Sequence, residues 1–416
     1  MPGGGTTPFR PPPNSLICEV LFTRGAWRDR RRRAVSGMHM KLLIERAALL
    51  KALGHVQSVV ERRNTIPILS NVLLTAGKDG LSFSATDLDM EIIDETSAHV
   101  ETPGQITAPA HTLYEIVRKL PEGAEISLGF NGEDPRLQVR AGRYKVNLPV
   151  LPAGDFPNMS AEGLSAPVGV DTVGLMRLID RTRFAISTEE TRYYLTGIYL
   201  HTLVEDGREI LRAVATDGHR LALAETDQKL SGLNGEVRVL IPKKAMDEVE
   251  KLSSAAGAEA HLEFAKDESH LFFQVEHRLL ISRILTGQFP NYEAVLPREN
   301  NKTVVLERTE LSDAVRRVSQ LADQRSHAVK LAVTPEGVEI SASSPEYGEA
   351  KETIEKEYKG EPLAIGFNAQ YMIDFLAAAP EGPISLELKD EQSAGQMRPL
   401  ADEAYRYRYV IMPMRI

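Results

Sequence analysis

The string Thr216-Asp217-Gly218-His219-Arg220-Leu221 holds the residues of this chain best suited to chemistry. An aspartate two residues before a histidine could act as a general acid–base pair, the core of a hydrolase or transferase. The matched places elsewhere hold Thr86-Asp87-Leu88 and Ser343-Ser344-Pro345, so no such pair recurs. The ten histidines are scattered without metal-ligand spacing, and the chain has no zinc-protease, phosphate-loop, dinucleotide or serine-hydrolase signature. The string reads as a structural or peptide-contacting element in a chain without an active site. No cofactor and no metal are expected.

What positions the string is one module written three times. GLSFSATDLDMEIIDET from Gly80, EILRAVATDGHRLALAET from Glu209 and GVEISASSPEYGEAKET from Gly337 share two alternating runs around a small-polar turn. Their anchor alanines, Ala85, Ala215 and Ala342, lie 130 and 127 residues apart. Three further landmarks recur in the same order. Strands close at Phe156-Pro157, Phe289-Pro290 and Met412-Pro413, and Leu113, Met246 and Met372 match within a second helical stretch. The spacing i, i+4, i+7, i+11 is kept by Leu49/Leu53/Val56/Val60, Leu175/Ile179/Thr182/Ile186 and Leu311/Val315/Val318/Ala322. Generic α/β segments would not keep that order, and triplication limits function to rotational or scaffold geometries.

Each module is expected to be α+β, with two helices against antiparallel sheet. In the first, the helices fall near residues 46–60 and 110–120, with turns at Gly77-Lys78-Asp79-Gly80 and Pro121-Glu122-Gly123. Leu81, Phe83 and Ala85 alternate with Ser82, Ser84 and Thr86, which implies a sheet covered by the helices on one face and bare on the other. His55, Arg181 and Arg317 fall at equivalent positions off the apolar stripes. With Lys51, Arg177, Arg118, Lys119, Lys243, Lys244 and Lys251 they suggest a thin basic surface for sequence-independent phosphate contacts.

The chain has 416 residues and a net charge of −9. No run approaches the roughly 20 apolar residues of a membrane span. A lone cysteine, Cys18, rules out a disulfide framework and suits a reducing cytoplasm. Residues 1–39 read as a leader, disordered or ahead of a later start at Met38 or Met40. They hold seven arginines against Glu19 and Asp29, which leaves 42 basic and 56 acidic side chains in the remaining 377 residues, a net of −14. Such a body is a poor generic nucleic-acid binder, so a DNA role needs local cations or topology instead of affinity.

The C-terminal run from Tyr409 to Ile416 is apolar to its end and carries two methionines, which suit an adaptable binding surface. The run also reads as a final strand packed in a core, and the two readings hold together if Met412 faces inward while Met414 faces a cleft.

The segments MKLLIERAALLKAL, RNTIPILSNVLL, LPAGDFPN, RYYLTGIYL, VATDGHRLAL, FPNYEAVLP, IGFNAQY and YVIMPMRI closely resemble the β subunit of bacterial DNA polymerase III, the sliding clamp. The resemblance runs from Met40 to Ile416. It implies three clamp domains, at 40–162, 163–292 and 293–416, and a head-to-tail homodimer forming a ring of six around double-stranded DNA. The implied partners are the replicative polymerase, the clamp loader and clamp-motif proteins of repair and ligation. The implied peptide cleft matches Leu195, Thr216, Gly218, His219, Arg220, Leu221, Pro290, Val295, Val410, Met412, Pro413, Met414 and Arg415, with Asn368 and Tyr371 nearby. DNA contacts match Arg63, Tyr193, Lys244 and Lys251, and one polar contact position of the family, just before RYYL, is Glu189 here, an acid where a neutral amide would suit phosphate better. The dimer seam matches Leu148 and Leu321, with Val146 in place of a larger aromatic.

Overall fold

The computed structural model describes residues 39–61, 65–78, 80–159, 168–226, 237–256, 261–400 and 405–415. Residues 1–38, Arg63 and the junction at 162–163 lie outside this set. The described residues pack as two compact units, one up to residue 159 with Phe264–Ser282, the other from Val168 to Glu263 with those from Arg283 onward.

In the first unit, helices α1 (Arg46–Val56) and α2 (Ala110–Lys119) pack together beneath two antiparallel sheets. One sheet has the order His99–Thr102, His39–Glu45, Glu125–Asn131, Asp134–Ala141, Tyr144–Pro149. The other contains, as consecutive neighbours, His270–Val275, Arg278–Arg283, Met90–Thr96, Gly80–Thr86, Asn71–Gly77 and Gly104–Pro109, six strands of an eight-stranded sheet. Helix α1 stops four residues short of the expected Val60. The Ser58 hydroxyl donates to the His55 carbonyl at 2.9 Å, a local bond that competes with helix continuation.

The second unit carries helices α3 (Thr172–Thr182), α4 (Lys243–Ala256), α5 (Arg308–Val318) and α6 (Ala369–Ala378). Its eight-stranded sheet has the order Arg238–Pro242, Gly197–Glu205, Arg208–Thr216, Arg220–Thr226, Tyr405–Ile411, Gly395–Pro399, Pro383–Leu388, Lys302–Glu307. The strand Tyr405–Ile411 is thus inserted directly beside Arg220–Thr226, with Leu221 opposite Val410. A four-stranded sheet, Gly348–Glu355, Gly337–Ser344, Ala328–Thr334, Leu363–Asn368, completes the unit.

All twelve residues of the three helical stripes are buried, and so are Leu113, Met246, Met372 and the anchor alanines. The expected bare sheet face is overturned in the first unit. Ser84 and Thr86 are buried alongside Phe83 and Ala85. Ser84 donates to Glu91 at 2.6 Å, and the other Glu91 oxygen accepts the Met159 N–H at 3.0 Å. Met159 then packs with Phe272, Ile281, Ile93 and Leu279, closing the side the helices leave open. The residues that cover it come from far along the chain, so local alternation could not reveal them.

Candidate functional site

Asp217 is engaged by its own turn. Its Oδ1 accepts the N–H groups of His219 at 2.9 Å and Arg220 at 3.1 Å, and Thr216 Oγ1 donates to the Arg220 carbonyl at 2.6 Å. The same bonds recur at Thr86-Asp87. There Asp87 Oδ1 accepts from Asp89 and Met90 at 2.9 and 2.7 Å, and Thr86 Oγ1 donates to the Met90 carbonyl at 2.6 Å. The residue after each aspartate is left-handed, Gly218 at φ 92° and Leu88 at φ 78°. An aspartate that caps a hairpin turn in two modules has a structural job in both.

That turn delivers Arg220. Its guanidinium is buried and donates to Asp217 at 3.0 Å, to Asp374 at 2.6 Å and to the Phe184 carbonyl at 2.6 Å. It also lies over the rings of Tyr371, 4.3 Å from the centroid, and Phe184, 5.5 Å. Arg220 therefore ties its own hairpin to the short turn Arg183–Ala185 that follows α3 and to α6, and acts as a structural joint. Tyr409 stacks on Phe375 at 4.8 Å and donates to the Tyr371 carbonyl at 2.9 Å. Burial holds its hydroxyl far above the ordinary tyrosine value, so it stays a neutral donor.

On the other face of the same strands, Leu195, Val214, Leu221, Leu223, Leu240, Phe289, Tyr292 and Val410 form one apolar cluster. Around its rim the sequence-derived residues emerge. Val295 is 54% exposed and Met412 is 47% exposed. Pro290, Gly218 and His219 are exposed, while Pro413 and Met414 are half-buried. Thr216 is buried. The Met412 N–H donates to the His219 carbonyl at 2.9 Å, and the Met414 N–H to the Gly366 carbonyl at 2.8 Å, which pins the tail beside the turn. The condition for both readings of the tail is not met at Met412, which is the more exposed of the two methionines, while Met414 is half-buried. Arg415 is exposed. Asn368 caps α6, its Oδ1 accepting from Gln370 at 2.9 Å and Tyr371 at 3.2 Å.

The expected basic surface is only partly realised. Arg181 is 7% exposed and sits 5.4 Å over the Tyr407 ring. His55 Nδ1 is 2.6 Å from Asp94, and Arg317 makes a bidentate pair with Glu352 at 2.9 and 2.6 Å. Lys244 and Lys251 are exposed seven residues apart on α4, hence on one face, and Lys251 also reaches Glu248 at 2.6 Å. Tyr193 is 49% exposed. Both Glu189 oxygens are held by Arg192, at 2.8 and 2.7 Å, and that guanidinium keeps the carboxyl below its ordinary range. Leu148 packs opposite Leu137 inside the first unit, and Leu321 is half-buried. Nothing in the residue pattern flagged the buried polar group His201, Arg212, Glu225 and Tyr292 behind the Val295 segment, because strand polarity usually means solvent.

Among the described residues no helix is long and apolar enough to cross a membrane. Three family models match in tandem: the DNA polymerase III beta subunit N-terminal domain over residues 40–160, its central domain over 169–291 and its C-terminal domain over 293–415. The Beta sliding clamp of Caulobacter vibrioides is 53% identical over 377 residues, 91% of this chain and all of the relative, and that of Pseudomonas putida is 35% identical over 378 residues with the same coverage. The crystal structure of the DNA polymerase sliding clamp from Caulobacter crescentus superposes with a TM-score of 0.86 at 52% identity. A sliding clamp from Bartonella birtlesii bound to griselimycin superposes with 0.84 at 37%. Each match covers 91% of this chain and all of the solved one. With three modules in order, the repeated Thr-Asp turn and the inserted C-terminal strand, the chain belongs to the DNA polymerase III beta-subunit family, the β sliding clamps.

Proposed function

We propose that two copies of this chain, each with modules at 40–162, 163–292 and 293–416, close head to tail around duplex DNA, and that the apolar cluster beside Arg220–Thr226 receives peptides from the proteins the ring tethers. As a sliding clamp the chain confers processivity and does no chemistry of its own. Edge strands favour the closure. Tyr144–Pro149 and Gly348–Glu355 each end a sheet with one side unpaired, where a partner strand can add. Leu148 and Leu321 lie near that seam in this reading, and Val146 leaves it less bulky.

The acidic body agrees with retention by enclosure. Arg63, Tyr193, Lys244 and Lys251 would touch phosphates weakly enough to slide, while the remaining surface repels them. A closed two-fold arrangement leaves no free interface for further growth. The tethered partners are the replicative polymerase's catalytic subunit, the loader that opens the ring, and clamp-motif proteins of repair and ligation.

The observation that carries the peptide site is the placement of Met412–Arg415. The inserted strand and the bonds to His219 and Gly366 hold this tail along an apolar rim with few polar anchors, the chemistry that takes a Leu- or Phe-bearing peptide. Deleting residues 412–416 is expected to abolish polymerase stimulation while sedimentation still reports a dimer. Unchanged stimulation would count against the site. Linearising a loaded circular DNA is expected to release the ring, and persistent binding to the linear form would contradict encirclement.

A further inference from the structure

Four polar side chains lie in register across four neighbouring strands of the eight-stranded sheet. His201 is opposite Arg212, Arg212 is opposite Glu225, and Glu225 is opposite Arg406. The first three are buried. Arg212 Nε donates to Glu225 Oε1 at 2.6 Å, and Arg406 Nη1 lies 3.8 Å from Glu225 Oε2. Onto this row sits the hydroxyl of Tyr292. It accepts from Arg212 Nη1 at 2.7 Å, which leaves its hydrogen for His201 Nε2 at 2.9 Å or Glu293 at 3.4 Å. Arg212 also reaches Glu293 at 3.2 Å.

The segment so anchored has little backbone order of its own. Between Phe289 and Leu296 it makes one short turn, Tyr292–Val295, with a 3.4 Å bond from Ala294 to Asn291. Side chains must therefore set its position. Phe289 stacks on Tyr199 at 5.0 Å, the Tyr292 ring enters the apolar cluster, and the hydroxyl fixes how deep that ring sits. Pro290 and Val295 ride on the same segment and face outward. We propose that the cross-strand row His201–Arg212–Glu225–Arg406 is a positioning platform for this wall of the peptide cleft, with the Tyr292 hydroxyl as the attachment. The platform holds the wall open before a peptide arrives, which removes a loop-ordering cost from binding. Arg212 and Tyr292 act through Val295 and Pro290 without touching the peptide, and the inference rests on the cleft reading above.

The test uses the full chain with Tyr292→Phe, which keeps the ring and removes only the hydroxyl, and Met412→Ala as a cleft control. The probe is a fluorescein-labelled pentapeptide ending in Leu-Phe, followed by anisotropy, with hydrogen–deuterium exchange read in parallel. Tyr292→Phe is expected to weaken the probe about fivefold, the scale of one hydrogen bond. Exchange should rise in residues 285–297 and stay unchanged in 220–226. Wild-type affinity with unaltered exchange would overturn the proposal, and so would a uniform rise across the sheet, which marks general stability alone. If the wild type itself ignores the probe, the cleft reading fails, and the exchange pattern still decides whether the platform orders the segment.

Discussion

His277 Nε2 lies 3.2 Å from Asp94 Oδ1, while His55 of α1 holds the other oxygen of that buried carboxylate at 2.6 Å. The hairpin of residues 270–283 is thereby tied to the first module by an ionisable bond, beside the pairing of Leu279 with Ile93. Burial works to raise the Asp94 carboxyl, but the bonds from His277 and His55 outweigh it and hold the group below its ordinary value. The bond to Asp94 raises His277.

The signs set a pH window. A raised histidine stabilises fully below its unfolded value of 6.5, and its contribution is lost as pH climbs through the raised value. A depressed aspartate stabilises above 3.8 and loses its contribution as pH falls through the lowered value. His277→Gln is expected to lower the thermal midpoint most near pH 5 to 6 and least near pH 9. Because His277 is half-exposed, the effect should stay within about 1 kcal/mol. A difference independent of pH, followed by circular dichroism, would sink this assignment.

Arg220→Lys is expected to destabilise the second unit by roughly 3 kcal/mol. It strips a planar fork from Asp217, Asp374 and Phe184 and leaves buried oxygens without their partner. Urea denaturation measures it. A loss under about 1 kcal/mol would show that the joint between the turn after α3 and α6 is held by apolar packing instead.

Leu88 sits at φ 78°, in the region that favours glycine, and its side chain is exposed. Leu88→Gly should raise stability by about 1 kcal/mol, since little packing is lost and the left-handed strain is relieved. Gly218→Ala should do the reverse, because a Cβ there would also stand 3.0 Å from Arg192 Nη1. Denaturation midpoints moving in the same direction for both variants would contradict the shared-turn argument.

Glu189→Gln removes an acid and frees Arg192 from its carboxylate. If this loop faces the duplex, the variant ring should stay longer on nicked circular DNA, and its logarithmic salt dependence should steepen by about one. Identical retention at every salt concentration would place Glu189 away from the phosphates.

Much of this architecture could be read from spacing. The helical stripes need only i, i+4, i+7 periodicity, and Leu49, Leu175 and Leu311 bury as that pattern requires. The Thr-Asp turn is local chemistry and was equally legible. What spacing could not supply were contacts made across long separations. Arg181 reads as a surface residue until Tyr407 arrives beneath it, and Ser84 until Glu91 and Met159 enclose it. His201 and Arg212 look solvent-facing on their strands until the returning Tyr292 bonds to both. The proposed cleft residues rest on resemblance. Their spacing alone, from Leu195 to Arg415, would not have gathered them.

The tail pinned by Met412 and Met414 has a practical consequence for anyone handling this protein. An affinity tag or fluorophore placed on the exposed Arg415 would sit next to the pinned rim of the apolar cluster and crowd it. The two-residue loop Asp206-Gly207, left-handed at both positions and joining Gly197–Glu205 to Arg208–Thr216, is the better place for an insertion.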